Sequence, residues 1–244
     1  VNASVTLSTA RRVLGQLRHD RRTAAMVLIM PAVLMVLLRY VFDSQRQFER
    51  IAPALLGILA FLVMFMVTSV ATLRERTGGT LERLMTTPAG RFDLLSGYAI
   101  AFSLLAVAQV ALAVGVSLTW LGLEITGSTV MVFVVAALDA VLGTALGLFV
   151  SAFARTEFQA MQFMPVVVLP QALVCGLFTP REDMNQVLTW FSDAMPLSYA
   201  VDAMNKVTRS SEFTQSLWVS LAVIVGSLFV SLVLGAATLR RRTP

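Results

Sequence analysis

Apolar residues run along this chain in long blocks separated by short polar stretches. The blocks cover residues 23–42, 51–73, 94–120, 129–153, 161–178 and 217–239. Each is close to, or longer than, the ~20 apolar residues a helix needs to cross a ~30 Å hydrocarbon core. Strict apolar–polar alternation is missing, which argues against a transmembrane barrel. The pattern predicts an all-α integral membrane fold with six transmembrane helices. No internal repeat or low-complexity linker divides it, so residues 1–244 are expected to form one transmembrane domain.

The polar stretches have patterns of their own. Residues 1–22 set Leu7, Val13, Leu14 and Leu17 against Arg11, Arg12, Arg18 and Arg21, the pattern of an interfacial helix before the first span. Pro31 falls inside that first span and is expected to kink it. Residues 74–93 open with RERTGGTLERLMTTPAGR, far more charge than a simple turn between two spans requires. Thr80 supplies a helix cap there, and Leu81, Leu84 and Met85 make one apolar stripe. Pro88 and Gly90 stop the helix. This island reads as a short amphipathic helix lying across the membrane surface, with one face open to a soluble partner. Residues 179–215 carry Trp190, Phe191, Met195, Pro196 and Tyr199, too apolar for a solvated loop. They are expected to form short helices at the outer interface.

Composition and charge narrow the class. The chain is 57% hydrophobic and only 14% charged, with a mean hydropathy of +0.79, outside the range of soluble domains. If the N-terminus is inside, the inner segments hold Arg11, Arg12, Arg18, Arg21, Arg22, Arg74, Arg76, Arg83, Arg91, Arg155, Arg240, Arg241 and Arg242. The outer segments hold only Arg39, Arg46, Arg50, Arg181, Lys206 and Arg209. That asymmetry puts both termini in the cytoplasm. The pI of 10.3 then reflects attraction to an anionic inner leaflet, with no nucleic-acid partner. One Cys excludes an internal disulfide, and with one His and no Cys/His cluster a zinc site is not expected. An intramembrane enzyme lacks the partners that its chemistry would need. No phosphate-binding G-x-x-x-x-G-K-[ST] loop is present, and the single lysine, Lys206, sits in NKVT.

The island carries a resemblance. Glu75-Arg76, then Gly79-Thr80-Leu81-Glu82 with Leu84, then Thr87-Pro88, is similar to the first cytoplasmic loop of ABC-2 type exporter permeases. Ser151 to Ala160 resembles the family's second cytoplasmic loop. Pro170, Cys175-Gly176, Pro180 and Met195-Pro196-Leu197-Ser198-Tyr199 resemble its later signature, with Cys175 where serine is usual and Arg181-Glu182-Asp183 adding unusual charge. The motifs follow in order along the whole chain.

The resemblance implies the membrane subunit of a drug- or lipid-export-like ABC transporter, embedded in the cytoplasmic membrane. It implies a dimer with a second copy or paralogue, and a separate nucleotide-binding ATPase that holds ATP and Mg. This chain then needs no cofactor or metal and is not an enzyme by itself. The helix around Thr80 becomes the coupling helix, and Glu75, Arg76, Thr80, Leu81, Glu82, Arg83 and Leu84 the ATPase-coupling residues, with a lesser contact from Arg155 and Glu157. The second and fifth spans would line a central cleft. Phe61, Met64, Phe65, Thr68 and Ser69 would come from one, and Met161, Phe163, Met164, Val168 and Gln171 from the other. Such Met- and Phe-rich surface suits a hydrophobic or amphipathic cargo (a drug, natural product or lipid) better than a polysaccharide.

Asp139 is the single acid deep within a span. Intramembrane carboxylates default to a functional hypothesis, and a proton-coupled secondary transporter using Asp139 is the alternative function. Yet Asp139, Gly143, Gly147 and Ser151 recur every four residues, the pattern of a helix-packing face. Ser227, Ser231 and Gly235 make a similar stripe on the last span.

Overall fold

The computed structural model describes residues 2–42, 44–78, 90–210, 212 and 214–238. Among these, every regular element is helical. Five helices are long and apolar enough to cross a membrane.

Helix α1, Ala3–His19, starts at Asn2, whose side chain accepts the amide hydrogen of Ser4 at 3.2 Å. It ends at Asp20, which also caps α2, Arg21–Val41, by accepting from the Thr23 amide at 3.2 Å. The expected 1–22 helix is therefore shorter, because one carboxylate satisfies the orphan amide of the next helix. Its buried face also differs from expectation. Thr6, Thr9, Ala10 and Val13 pack inward, while Leu7 is exposed. Small and hydroxyl side chains prevail there because α1 lies against α4, Arg91–Thr119, at close range. A methyl group on Gly97 would sit 2.6 Å from the Thr9 Cβ.

Helix α3, Gln45–Thr77, is 33 residues long and overruns the expected 51–73 span at both ends. Residues 45–50, expected outside the membrane between the first two spans, are its first turns. Phe48 is buried there under the Arg39 guanidinium, 5.8 Å from the ring centre. Gln45 ties this end to the Gly122 carbonyl at 2.8 Å. By helical rise α3 is about 50 Å long, more than a bilayer core requires.

Helix α5, Thr129–Val150, packs along α3 more extensively than any other pair of elements in the fold. The stripe of small residues makes this possible. Added methyl groups on Gly143 and Gly147 would fall 2.5 Å from the Phe61 and Phe65 carbonyl oxygens respectively. The two backbones touch at these points, as expected for small-residue helix contacts in membranes.

Helix α6, Glu157–Val174, begins earlier and ends earlier than the expected 161–178 span. It has 18 residues, includes Pro165 and Pro170, and is not among the five span-length apolar helices. Gly176, at φ +93°, turns the chain away after it, a left-handed conformation suited to glycine. After a 3-10 turn at Arg181–Asp183 come α7, Gln186–Ala194, and α8, Pro196–Arg209. Helix α8 buries Leu197, Ala200, Val201, Met204 and Val207 against α3, α5 and the last helix, α9, Gln215–Thr238. It is part of the bundle as well as of the surface. The amides of Thr126 and Gly127 donate to the Thr208 carbonyl at 3.0 and 3.1 Å, closing that end.

Candidate functional site

The last turn of α3 carries the first residues of the polar island into a three-residue cluster. Arg12 of α1 donates to both carboxylate oxygens of Glu75, at 3.0 and 3.1 Å. It also donates to the Tyr98 hydroxyl of α4 at 2.6 Å, and Tyr98 donates onward to Glu75 at 2.5 Å. The guanidinium lies 5.6 Å from the Tyr98 ring centre. Bidentate pairing fixes angle as well as distance. Burial works against the Arg12 charge, but the hydrogen bond and charge of Glu75 more than offset it, and the Arg12 pKa stands above its ordinary value.

This arrangement decides where Glu75 points. Its side chain is only 14% exposed and is engaged within the chain, leaving little of it for an external partner. Arg76 is half-buried. Its Nε and Nη2 have no hydrogen-bond partner among the described residues. Thr80, Leu81, Glu82, Arg83 and Leu84, which carry the expected coupling helix, lie outside the described residues. Arg12 and Tyr98 were not anticipated from sequence. Arg12 was one of several basic residues of the expected interfacial helix, and Tyr98 was not singled out at all.

A second contact lies beside it. Arg74 donates twice to Glu157 at the start of α6, both at 2.8 Å. The Arg74 hydrogen bonds hold the Glu157 carboxyl below its usual range. Arg155 bonds through its backbone amide to Gln159 Oε1 at 2.8 Å, leaving its side chain exposed. Two of the predicted loop residues, Glu75 and Glu157, are thus engaged by Arg12 and Arg74 of this chain.

The expected cleft residues divide sharply. Phe61, Met64, Phe65, Thr68 and Ser69 are all fully buried. The glycines of α5 bring its backbone onto this face of α3, so these side chains form core and present no open surface. Of the α6 set, Val168 and Gln171 are buried, Phe163 and Met164 are half-buried, and Met161 is 42% exposed. The open face of α6 consists instead of Phe158, Val166, Leu169 and Leu173. Val166, Leu169 and Leu173, spaced by three and four, follow one side of the helix, and Phe158 lies near the same side two turns earlier. Asp139 is fully buried, and neither carboxylate oxygen has a hydrogen-bond partner among the described residues. It faces Gly57 of α3, where an added methyl would lie 3.0 Å from Asp139 Oδ2 and 3.5 Å from the Met204 side chain.

The sequence is similar to those of known proteins. The sequence profile of the ABC-2 type transporter family matches residues 4–208. ABC transporter G family member 20 of Dictyostelium discoideum is 23% identical over 194 residues, covering 79% of this chain and 27% of that protein. The probable multidrug ABC transporter permeases YbhR and YbhS of Escherichia coli (strain K12) are 24% and 25% identical. They cover 70% and 75% of this chain, and 46% and 49% of their own lengths. The chain therefore spans between about a quarter and a half of the curated relatives it matches. A profile match from the first turn of α1 to the end of α8, over this helical order, makes the chain a member of the ABC-2 type transporter family.

Proposed function

We propose that this chain is the permease subunit of an ATP-driven ABC exporter, with ATP and Mg held by a separate nucleotide-binding subunit. The observation that carries this reading is the continuity of α3. One unbroken helix of 33 residues runs through the bundle and delivers its last turn to the polar island. Its end is braced by Arg12 and Tyr98 and stands beside the Arg74–Glu157 contact. A force applied at the end of α3 would thereby pass to α1, α4 and α6 together. Energy transfer between distant sites requires rigid elements with discrete arrangements of this kind.

In this reading the island docks the ATPase through Thr80, Leu81, Glu82, Arg83 and Leu84, with Arg76 and Arg155 alongside. Glu75 and Glu157 brace the last turn of α3 from within. Helix α6 completes the set of six spans, and both termini face the cytoplasm of the inner membrane. A second copy or paralogue supplies the other half of the translocation path, which the open face of α6 borders. The cargo is hydrophobic or amphipathic. Two of the relatives named as multidrug permeases support that class.

Purification from native membranes in mild detergent, with mass spectrometry of co-purifying proteins, tests the reading. An ATP-binding subunit should accompany the wild type and be lost with the double variant Glu82→Arg, Arg83→Glu. Recovery of no ATPase even after cross-linking would overturn it. The alternative, a proton-coupled carrier, draws on the isolation of Asp139. It requires transport to stop with an uncoupler and to persist when the ATPase is inactivated.

A further inference from the structure

A basin of about 500 Å³ opens where α3 begins, at the far end of that helix from Glu75. Helical rise puts the two sites about 37 Å apart. Ile51, Ala54, Val201 and Cys175 give the basin an apolar wall, and Arg50 of α3 and Arg209 of α8 also line it. The other basic groups are already engaged. Arg181 pairs with Asp193 and stacks over Tyr199, 5.4 Å from its ring centre. Lys206 pairs with Asp202 at 2.5 Å, and Ser220 donates to the same carboxylate at 3.0 Å. Arg50 and Arg209 form no ion pair among the described residues, and neither do the acids Glu182 and Glu212 on the rim.

We propose that this basin binds the head of an amphiphile bearing both a phosphate and an ammonium group. Two guanidiniums without an ion pair among the described residues match phosphate oxygens, for which their planar donor forks are suited. Two carboxylates of the lining, without an ion pair among the described residues, match an ammonium. The apolar wall receives the first methylenes of the attached chain. A simple anion would leave Glu182 and Glu212 opposing it, and a simple cation would meet Arg50 and Arg209. Only a head carrying both charges answers all four groups. The inference concerns the chain itself and needs no ATPase, so it stands or falls separately from the proposed function.

The test is a binding titration on the purified 244-residue chain in neutral maltoside micelles, with dodecyl phosphoethanolamine as probe. Dodecyl phosphate, dodecylamine and free phosphoethanolamine serve as comparisons. Saturable binding of the zwitterionic amphiphile is expected, tighter than that of either singly charged analogue. The pair Arg50→Gln, Arg209→Gln and the pair Glu182→Gln, Glu212→Gln should each weaken it by about tenfold, the scale of losing charge-assisted hydrogen bonds. Arg46→Gln, on the same helix but outside the basin, should leave it unchanged. Asn205→Trp should block the basin without touching a charge, and an unchanged thermal unfolding midpoint would show that it remains folded. Equal binding in all these variants would overturn the proposal. Sensitivity to the arginine pair alone would overturn the zwitterionic match in favour of a plain anion. Free phosphoethanolamine binding as tightly as the amphiphile would overturn the role of the apolar wall.

Discussion

Helix α3 is held along its length by the backbone of α5 and at its last turn by Arg12 of α1 and Tyr98 of α4. The first contact contains no ion pair between the two helices among the described residues and depends on shape. Glycines at 143 and 147 leave no room for a single methyl group. The second depends on charge, with three side chains sharing their hydrogen bonds at a half-buried site. A contact made by shape fixes distance and resists sliding. One made by paired charges fixes partners and is sensitive to chemistry. α3 is thus rigid through the bundle and chemically addressable at its end.

The comparison can be broken most severely at the glycines. Gly147→Val forces branched carbons onto the Phe65 carbonyl and should destabilise by about 3 kcal/mol, the upper range for overpacking. Differential scanning fluorimetry in detergent should show a large fall in the unfolding midpoint, and transport should be lost with it. Gly115→Val is the control, since its methyl position meets nothing within 4 Å.

A smaller effect is expected at the charged end. Arg12→Ala strands Glu75 and should cost about 2 kcal/mol, the scale of leaving a partly buried charged group unpaired. The double variant Arg12→Ala, Glu75→Gln should recover at least half of that loss. If the single and double variants unfold alike, charge pairing is not what holds this end.

The smallest effect belongs to Glu157. Arg74 lowers its native pKa, so its contribution is fully present above the ordinary carboxylate value of 4.5. It fades as pH falls through the lower native value. Glu157→Gln should remove that part of the acid sensitivity and leave the midpoint at pH 7 nearly unchanged, because the pair is solvent-screened. Midpoints measured across pH 7 to 3 for both proteins check the sign.

Much of this was readable before the structure. Unbroken apolar runs placed α2, α4, α5 and α9 within a few residues, because crossing a bilayer forces length and hydrophobicity together. The run through Phe178 misplaced α6, since hydrophobicity continues past the turn at Gly176. The stripe of Asp139, Gly143, Gly147 and Ser151 was legible as a packing face. What it packs against was not, and so Phe61, Met64, Phe65 and Thr68 were assigned to a cleft when they lie beneath that stripe. Helical spacing shows that residues share a face but says nothing about what covers it. The Arg12–Glu75–Tyr98 cluster joins positions 23, 63 and 86 residues apart, a proximity that only tertiary packing creates.

Asp20 closes α1 and opens α2 with nothing between them. A junction of one residue has two soft dihedral angles and no slack. Mechanically, α1 and α2 form a bracket whose short arm is pinned to α3 and α4 through Arg12, and whose long arm is the first span. A tilt of that span has few degrees of freedom in which to dissipate. Most of it must arrive as a displacement of the pinned arm, so the first span and the last turn of α3 report on each other through a single hinge.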